Sequence, residues 1–90
     1  MNELAEDVEM LQNALIAEAT EGTADDKEYQ RLRTKISEKP LLRDVSPRFL
    51  KTCRDLSQFW QFIKHEYGTY GERRKFIWDS FRPLLERLEA

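Results

Sequence analysis

Apolar residues recur along this chain at the spacing of helices. In the first segment they are separated by four, three and four positions, with acidic residues between them: Leu4, Val8, Leu11 and Leu15. Such spacing lines one face of an α-helix. It predicts a first helix over residues 3–20, which the segment around Gly22 ends because glycine adopts the left-handed turn without steric cost.

A second helix is predicted over residues 25–37. Asp25 and Asp26 place carboxylates where the unpaired amides and the positive dipole of a helix start lie. The apolar positions that follow keep the helical spacing: Tyr29, Leu32 and Ile36. Pro40 prevents continuation, because the residue before a proline is pushed out of helical geometry.

A third helical segment covers residues 47–66. Ser46 and Pro47 indicate its start, since the serine oxygen can cap free amides and proline suits the first helical position. Its inward-facing positions are Phe49, Leu50, Cys53, Leu56, Phe59, Trp60, Ile63 and Tyr67. The segment around Asp55 either interrupts the helix or is absorbed by it, and the pattern leaves both alternatives open.

The last helix is predicted over residues 69–88. Gly68 can end the preceding helix, and Thr69 with Glu72 forms a capping box in which each side chain satisfies the other residue's amide. Pro83 lies inside the helix and should bend it by removing one hydrogen bond. The core-facing seam is Tyr70, Arg74, Ile77, Phe81, Leu84 and Leu88.

These patterns predict an all-α protein: one domain over residues 1–90, folded as a compact bundle of four to five helices. A composition of 40% hydrophobic and 36% charged residues excludes a disordered tail and a membrane protein. The net charge is −2, but it is unevenly distributed. Residues 1–45 carry six basic and eleven acidic side chains, whereas residues 46–90 carry nine basic and six acidic side chains. The net charges of the two halves are therefore −5 and +3, and this difference would steer an acidic partner towards the C-terminal half.

Little in the sequence indicates catalysis or cofactor binding. Cys53 is the single cysteine, which excludes an internal disulfide or a cysteine zinc cluster and favours a reducing compartment. His65 is expected to face solvent without a nucleophile nearby. Acidic residues near the start contradict a signal peptide, and no apolar run is long enough to cross a membrane. We therefore expect a cytoplasmic protein that is not an enzyme and has no metal or cofactor.

The densest positive cluster is Arg73-Arg74-Lys75, at the start of the last helix. The helix dipole there favours anions, so a phosphate or a partner carboxylate would suit these side chains. Arg74 falls within the apolar seam, which leaves two alternatives: contact with another macromolecule, or an internal ion pair. The acids available for that pair are Asp55, Glu66 and Asp44.

Two aromatic residues follow the cluster. Phe76 lies away from the seam, so either a broad core or a docking patch must cover it. Because arginine and large aromatic side chains often dominate binding energy, the candidate partner-binding residues are Arg73, Arg74, Lys75, Phe76 and Trp78. They predict a non-catalytic protein-interaction module, either free-standing or holding an effector domain. The alternatives are a nucleic-acid binder that uses the same basic turns, and a homodimer with the first helix as a coiled-coil seam.

Three stretches carry a family resemblance: EYQRLR, SPRFLKTCRDLSQFWQFIK and YGTYGERRKFIWDSFRPLLERLE. Together they resemble a small helical module that accompanies bacterial abortive-infection and related conflict proteins, over residues 28–89. The resemblance implies an adaptor or effector-associated role, and no enzymatic residues. The ribonuclease signature of that setting, an arginine followed four to six positions later by histidine, is missing because Arg54 and His65 are too far apart.

Overall fold

The computed structural model describes residues 3–89 and contains five α-helices, a short 3-10 turn and no strand within that range. The helices are α1 Glu3–Thr20, α2 Asp26–Ser37, α3 Phe49–Thr52, α4 Leu56–Glu66 and α5 Tyr70–Glu89, and the 3-10 turn is Pro40–Leu42. The prediction of an all-α bundle of four to five helices is confirmed.

Helix α1 is the centre of the bundle, because it packs most extensively against α5 and also contacts α2 and α4. Val8, Leu11 and Leu15 on its apolar face are fully buried among side chains of the same chain. That face is therefore already used inside the fold. The alternative in which it forms a coiled-coil seam between two copies is not compatible with this packing.

The first two helix junctions follow the sequence pattern. Gly22 has a φ of +67°, and its amide and that of Glu21 donate to the carbonyl of Ala17 at 2.9 and 2.8 Å. This left-handed residue ends α1 as expected. Asp25 is the N-cap of α2, and its carboxylate accepts from the Lys27 amide at 3.1 Å.

The segment over residues 47–66 is broken into α3 and α4, which decides the alternative that the sequence left open. Asp55 has extended backbone geometry and caps α4, because its carboxylate accepts from the Gln58 amide at 2.8 Å. The predicted cap by Ser46 is wrong. Its hydroxyl donates instead to the carbonyl of Leu42 at 2.7 Å, and no side chain caps α3.

The start of α5 agrees with prediction except in one bond. The Thr69 hydroxyl accepts from the Glu72 amide at 3.2 Å, but the Glu72 carboxylate accepts from that hydroxyl, at 2.8 Å, and not from the Thr69 amide. Helix α4 ends at Glu66, and the backbone of its C-cap, Tyr67, is already extended, so Gly68 is not needed as a left-handed terminator. Pro83 lies inside the uninterrupted α5, as expected.

Candidate functional site

The rotation of α5 about its own axis decides which basic residues are free to bind. Ile77, Phe81 and Leu84 are fully buried, as the predicted seam requires. Towards the start of the helix, however, Arg73 is the buried residue, at 8% exposure, and Arg74 is exposed. The placement of Arg74 in the seam is therefore wrong. Tyr70 is not in the core either, since it remains 58% exposed.

Arg73 connects the ends of two helices. Its Nε donates to the carbonyl of Tyr67 at 2.9 Å, directly after α4, and its Nη1 donates to the carbonyl of Ala19 at 3.0 Å, in the last turn of α1. Carbonyls at a helix C-terminus lack internal partners and carry the negative end of the dipole. The buried guanidinium of Arg73 supplies both a hydrogen-bond donor and a positive charge to these carbonyls. Helix α1 has no basic residue of its own in its last turn.

Aromatic rings complete the surroundings of Arg73. The guanidinium carbon lies 5.2 Å from the ring centroid of Trp60 and 5.6 Å from that of Tyr70, within cation–π range. Among residues 3–89 no carboxylate forms an ion pair with Arg73. The internal ion pair that the sequence allowed for Arg74 is not present among these residues either, since Arg74 is exposed and pairs with no described carboxylate. Asp44, one of the acids considered for that pair, lies 3.0 Å from Arg87 instead.

Phe76 belongs to an aromatic cluster. Its ring centroid lies 4.8 Å from that of Tyr67, 5.6 Å from Phe49 and 5.8 Å from Phe62. The side chain is partly buried. Of the two alternatives for Phe76, the broad core is favoured, because three rings of the same chain cover part of its own ring.

Lys75 and Arg82 share one acid on the outside of α5. Lys75 Nζ lies 2.7 Å from one oxygen of Asp79, and Arg82 Nη2 lies 2.8 Å from the other. The hydrogen bond from Lys75 and the charge of Arg82 hold the pKa of Asp79 below its ordinary value. All three side chains are substantially exposed, so these ion pairs contribute little stability and can exchange for contacts with a partner.

Trp78 and the residues four positions before and after it form the outer face of this helix. Trp78 is 50% exposed, and Arg74 and Arg82 are exposed as well. Residues four apart on a helix are surface neighbours. We call Arg74, Lys75, Trp78 and Arg82 the basic-aromatic face. Sequence reasoning missed Arg82, although its spacing from Trp78 was a usable signal.

The single histidine and the single cysteine differ in exposure. His65 is exposed on α4, whereas Cys53 is 4% exposed and burial raises the pKa of its thiol. No group of three or more potential metal ligands occurs within the described range. None of the helices between residues 3 and 89 is long and apolar enough to cross a membrane.

Comparison with known proteins adds no constraint, since no protein-family model, curated protein or solved structure matches the chain.

Proposed function

We propose that the protein is a non-catalytic protein-interaction module whose basic-aromatic face binds an acidic segment of a partner protein. The observation that carries the proposal is the half-exposed Trp78 between the exposed side chains of Arg74 and Arg82. In this role the module would recruit or hold an effector domain, the role that the sequence resemblance implies.

The residue types suit this use. Tryptophan and arginine are the side chains most enriched among residues that dominate interface energy, because each buries a large area and still offers polar contacts. An indole ring left half in water has apolar surface that a partner could cover. The positive charge of residues 46–90 would attract an acidic partner to this half of the molecule.

A protein partner is favoured over nucleic acid by the acid within the face. Asp79 already pairs with both Lys75 and Arg82, which leaves Arg74 as the basic residue of the face without an ion pair to another described residue. Binding to a phosphate backbone draws its affinity from many uncompensated positive charges. A partly neutralised face around an indole ring is better suited to a mixed acidic and apolar peptide.

A peptide-display selection tests the proposal. Wild-type protein should enrich peptides that combine acidic with apolar residues. The variants Trp78→Ala and R74Q/R82Q should lose that enrichment, whereas the control R48Q/R54Q, which removes two exposed arginines outside α5, should keep it.

Two results would count against this function. One is enrichment that does not depend on Trp78 or on the α5 arginines. The other is the absence of peptide enrichment together with tight binding to DNA or RNA that weakens steeply with salt, which is the signature of phosphate contacts.

A further inference from the structure

A recess on another part of the surface lies between the last turn of α2, the loop after the 3-10 turn and helix α3. Its volume is about 170 Å³. The residues that line it are Arg33, Ile36, Ser37, Arg43, Ser46, Leu50 and Lys51. None of them belongs to α5, so the recess is separate from the basic-aromatic face.

The charge of this lining has one sign. Arg33, Arg43 and Lys51 are basic, and no lining residue is acidic, although the chain as a whole carries more acids than bases. Arg43 and Lys51 are exposed and form no ion pair with any residue between 3 and 89. Three cations around one small volume repel one another, and an anion between them would relieve that repulsion.

Arg33 holds the wall of the recess in place. Its guanidinium donates through Nε to the carbonyl of Leu50 and through Nη2 to that of Lys51, at 3.2 Å for the second bond. These bonds satisfy carbonyls of the short helix α3. A guanidinium has five N–H groups, so donors remain for a ligand. The partly buried position also keeps the arginine less screened than a free surface side chain.

The other walls are apolar or already hydrogen bonded. Ile36 and Leu50 line the recess from the core side and are 1% and 7% exposed, so a ligand can touch only the outer edge of their hydrocarbon. The hydroxyls of Ser37 and Ser46 donate to the carbonyls of Thr34 and Leu42, at 2.9 and 2.7 Å. The donors available to a ligand are therefore the cationic groups, and the space beside them suits a hydrophobic body.

We propose that this recess binds a small organic anion, with one carboxylate or phosphate between the three cations and one ring or short hydrocarbon chain against Ile36 and Leu50. The volume fits that size, since an apolar cavity of about 150 Å³ is enough to hold benzene. Recognition combines charge-assisted hydrogen bonds with apolar burial, and neither part suffices alone.

The test is a set of NMR titrations of the ¹⁵N-labelled full chain at constant ionic strength, with benzoate, phenyl phosphate, inorganic phosphate and benzamidine as probes. Benzoate and phenyl phosphate should give saturable shifts at the lining residues, with Kd in the millimolar range expected for ligands of this size. Inorganic phosphate should bind more weakly, because it lacks the ring. Benzamidine, a cation of the same shape as benzoate, should not bind there.

Charge-removing variants complete the test. R43Q/K51Q should weaken benzoate binding roughly tenfold, as expected for the loss of two exposed charge contacts. The control K27Q/R54Q removes one lysine and one arginine that are exposed elsewhere and should bind benzoate as the wild type does. The single variants R43Q and K51Q can be used if the double variant does not fold. Each should bind benzoate about threefold more weakly than the wild type, because it loses one charge contact.

Four outcomes would overturn the proposal. Three of them are the absence of saturable shifts in the recess with either aromatic anion, equal binding of benzoate and benzamidine, and unchanged benzoate affinity in R43Q/K51Q. Inorganic phosphate binding as tightly as phenyl phosphate would also contradict it, because the apolar wall would then have no role.

Discussion

Replacing Arg73 by alanine removes the connection between the C-terminal ends of α1 and α4. The variant loses two charge-assisted hydrogen bonds, to the carbonyls of Ala19 and Tyr67, in a site where the side chain is only 8% exposed. Bonds of this kind contribute about 1.5–3 kcal/mol each. Burying a charged guanidinium costs free energy, and the variant no longer bears this cost, which offsets part of the loss. We therefore expect the free energy of unfolding to fall by about 3 kcal/mol.

For a domain of this size that loss should lower Tm by about 15 °C. Arg74→Ala is the matched control, because it removes the same side chain one position along the helix from an exposed site. Its effect should stay within about 0.5 kcal/mol. Arg73→Lys should be intermediate, since an ammonium group keeps the charge but cannot reach both carbonyls as a planar fork does. Circular dichroism during thermal and urea unfolding measures all three.

The inward position of Arg73 is refuted if Arg73→Ala and Arg74→Ala destabilise the fold equally, or if Arg74→Ala has the larger effect. Either result would mean that α5 is rotated about its axis relative to the described position. The basic-aromatic face would then have to be reassigned, because Trp78 is placed by the same rotation.

Three further predictions concern the core and its edges. Phe76→Ala should lower the free energy of unfolding by about 2 kcal/mol, because its ring packs in the aromatic cluster. Trp78→Ala should change the free energy of unfolding by less than about 1 kcal/mol. Equal losses of stability in urea unfolding would contradict this difference. Cys53 should react with a thiol reagent far more slowly in the native protein than in urea, since its thiol is buried and the pKa of the thiol is raised. Fast labelling of Cys53 in the native protein would argue against its burial. The hydrogen bonds from Arg87 hold the pKa of Asp44 below the ordinary value of 3.8, so the stability that this carboxylate provides at neutral pH should be lost as the pH falls below that value. The variant Asp44→Asn should lose less stability than the wild type over that pH range. Identical acid unfolding profiles of the two proteins would contradict the pairing.

The features that the sequence predicted correctly are those decided by neighbouring residues. Helix α1 agrees at both ends with the predicted range because apolar spacing and a glycine stop are local signals. The same holds for the cap of α2 by Asp25 and for the Thr69 hydroxyl at the start of α5. Each depends on residues no more than three or four positions apart.

The orientation of α5 and the break before α4 depend on distant parts of the chain. Arg73 and Arg74 lie four and three positions before Ile77, so helical spacing allows either to face inwards. The Ala19 carbonyl, 54 positions away, is what Arg73 reaches from the inward position. The break before α4 is similar, because the Leu56 amide finds an acceptor in the carboxylate of Asp26 at 2.8 Å, 30 positions away. The recess at Arg33 could not be predicted from local patterns either, because its lining residues come from α2, the loop after the 3-10 turn and α3.

Helix α5 turns Arg73 inwards and presents Arg74 with Trp78 to the outside. Hydrogen exchange of the arginine Nε–H groups, measured by ¹H–¹⁵N NMR, distinguishes this orientation from the reverse one. Arg73 donates this hydrogen to Tyr67 and is buried, so its signal should be protected from exchange, whereas that of Arg74 should exchange as fast as in an unfolded peptide. Protection of Arg74 together with fast exchange of Arg73 would contradict the account.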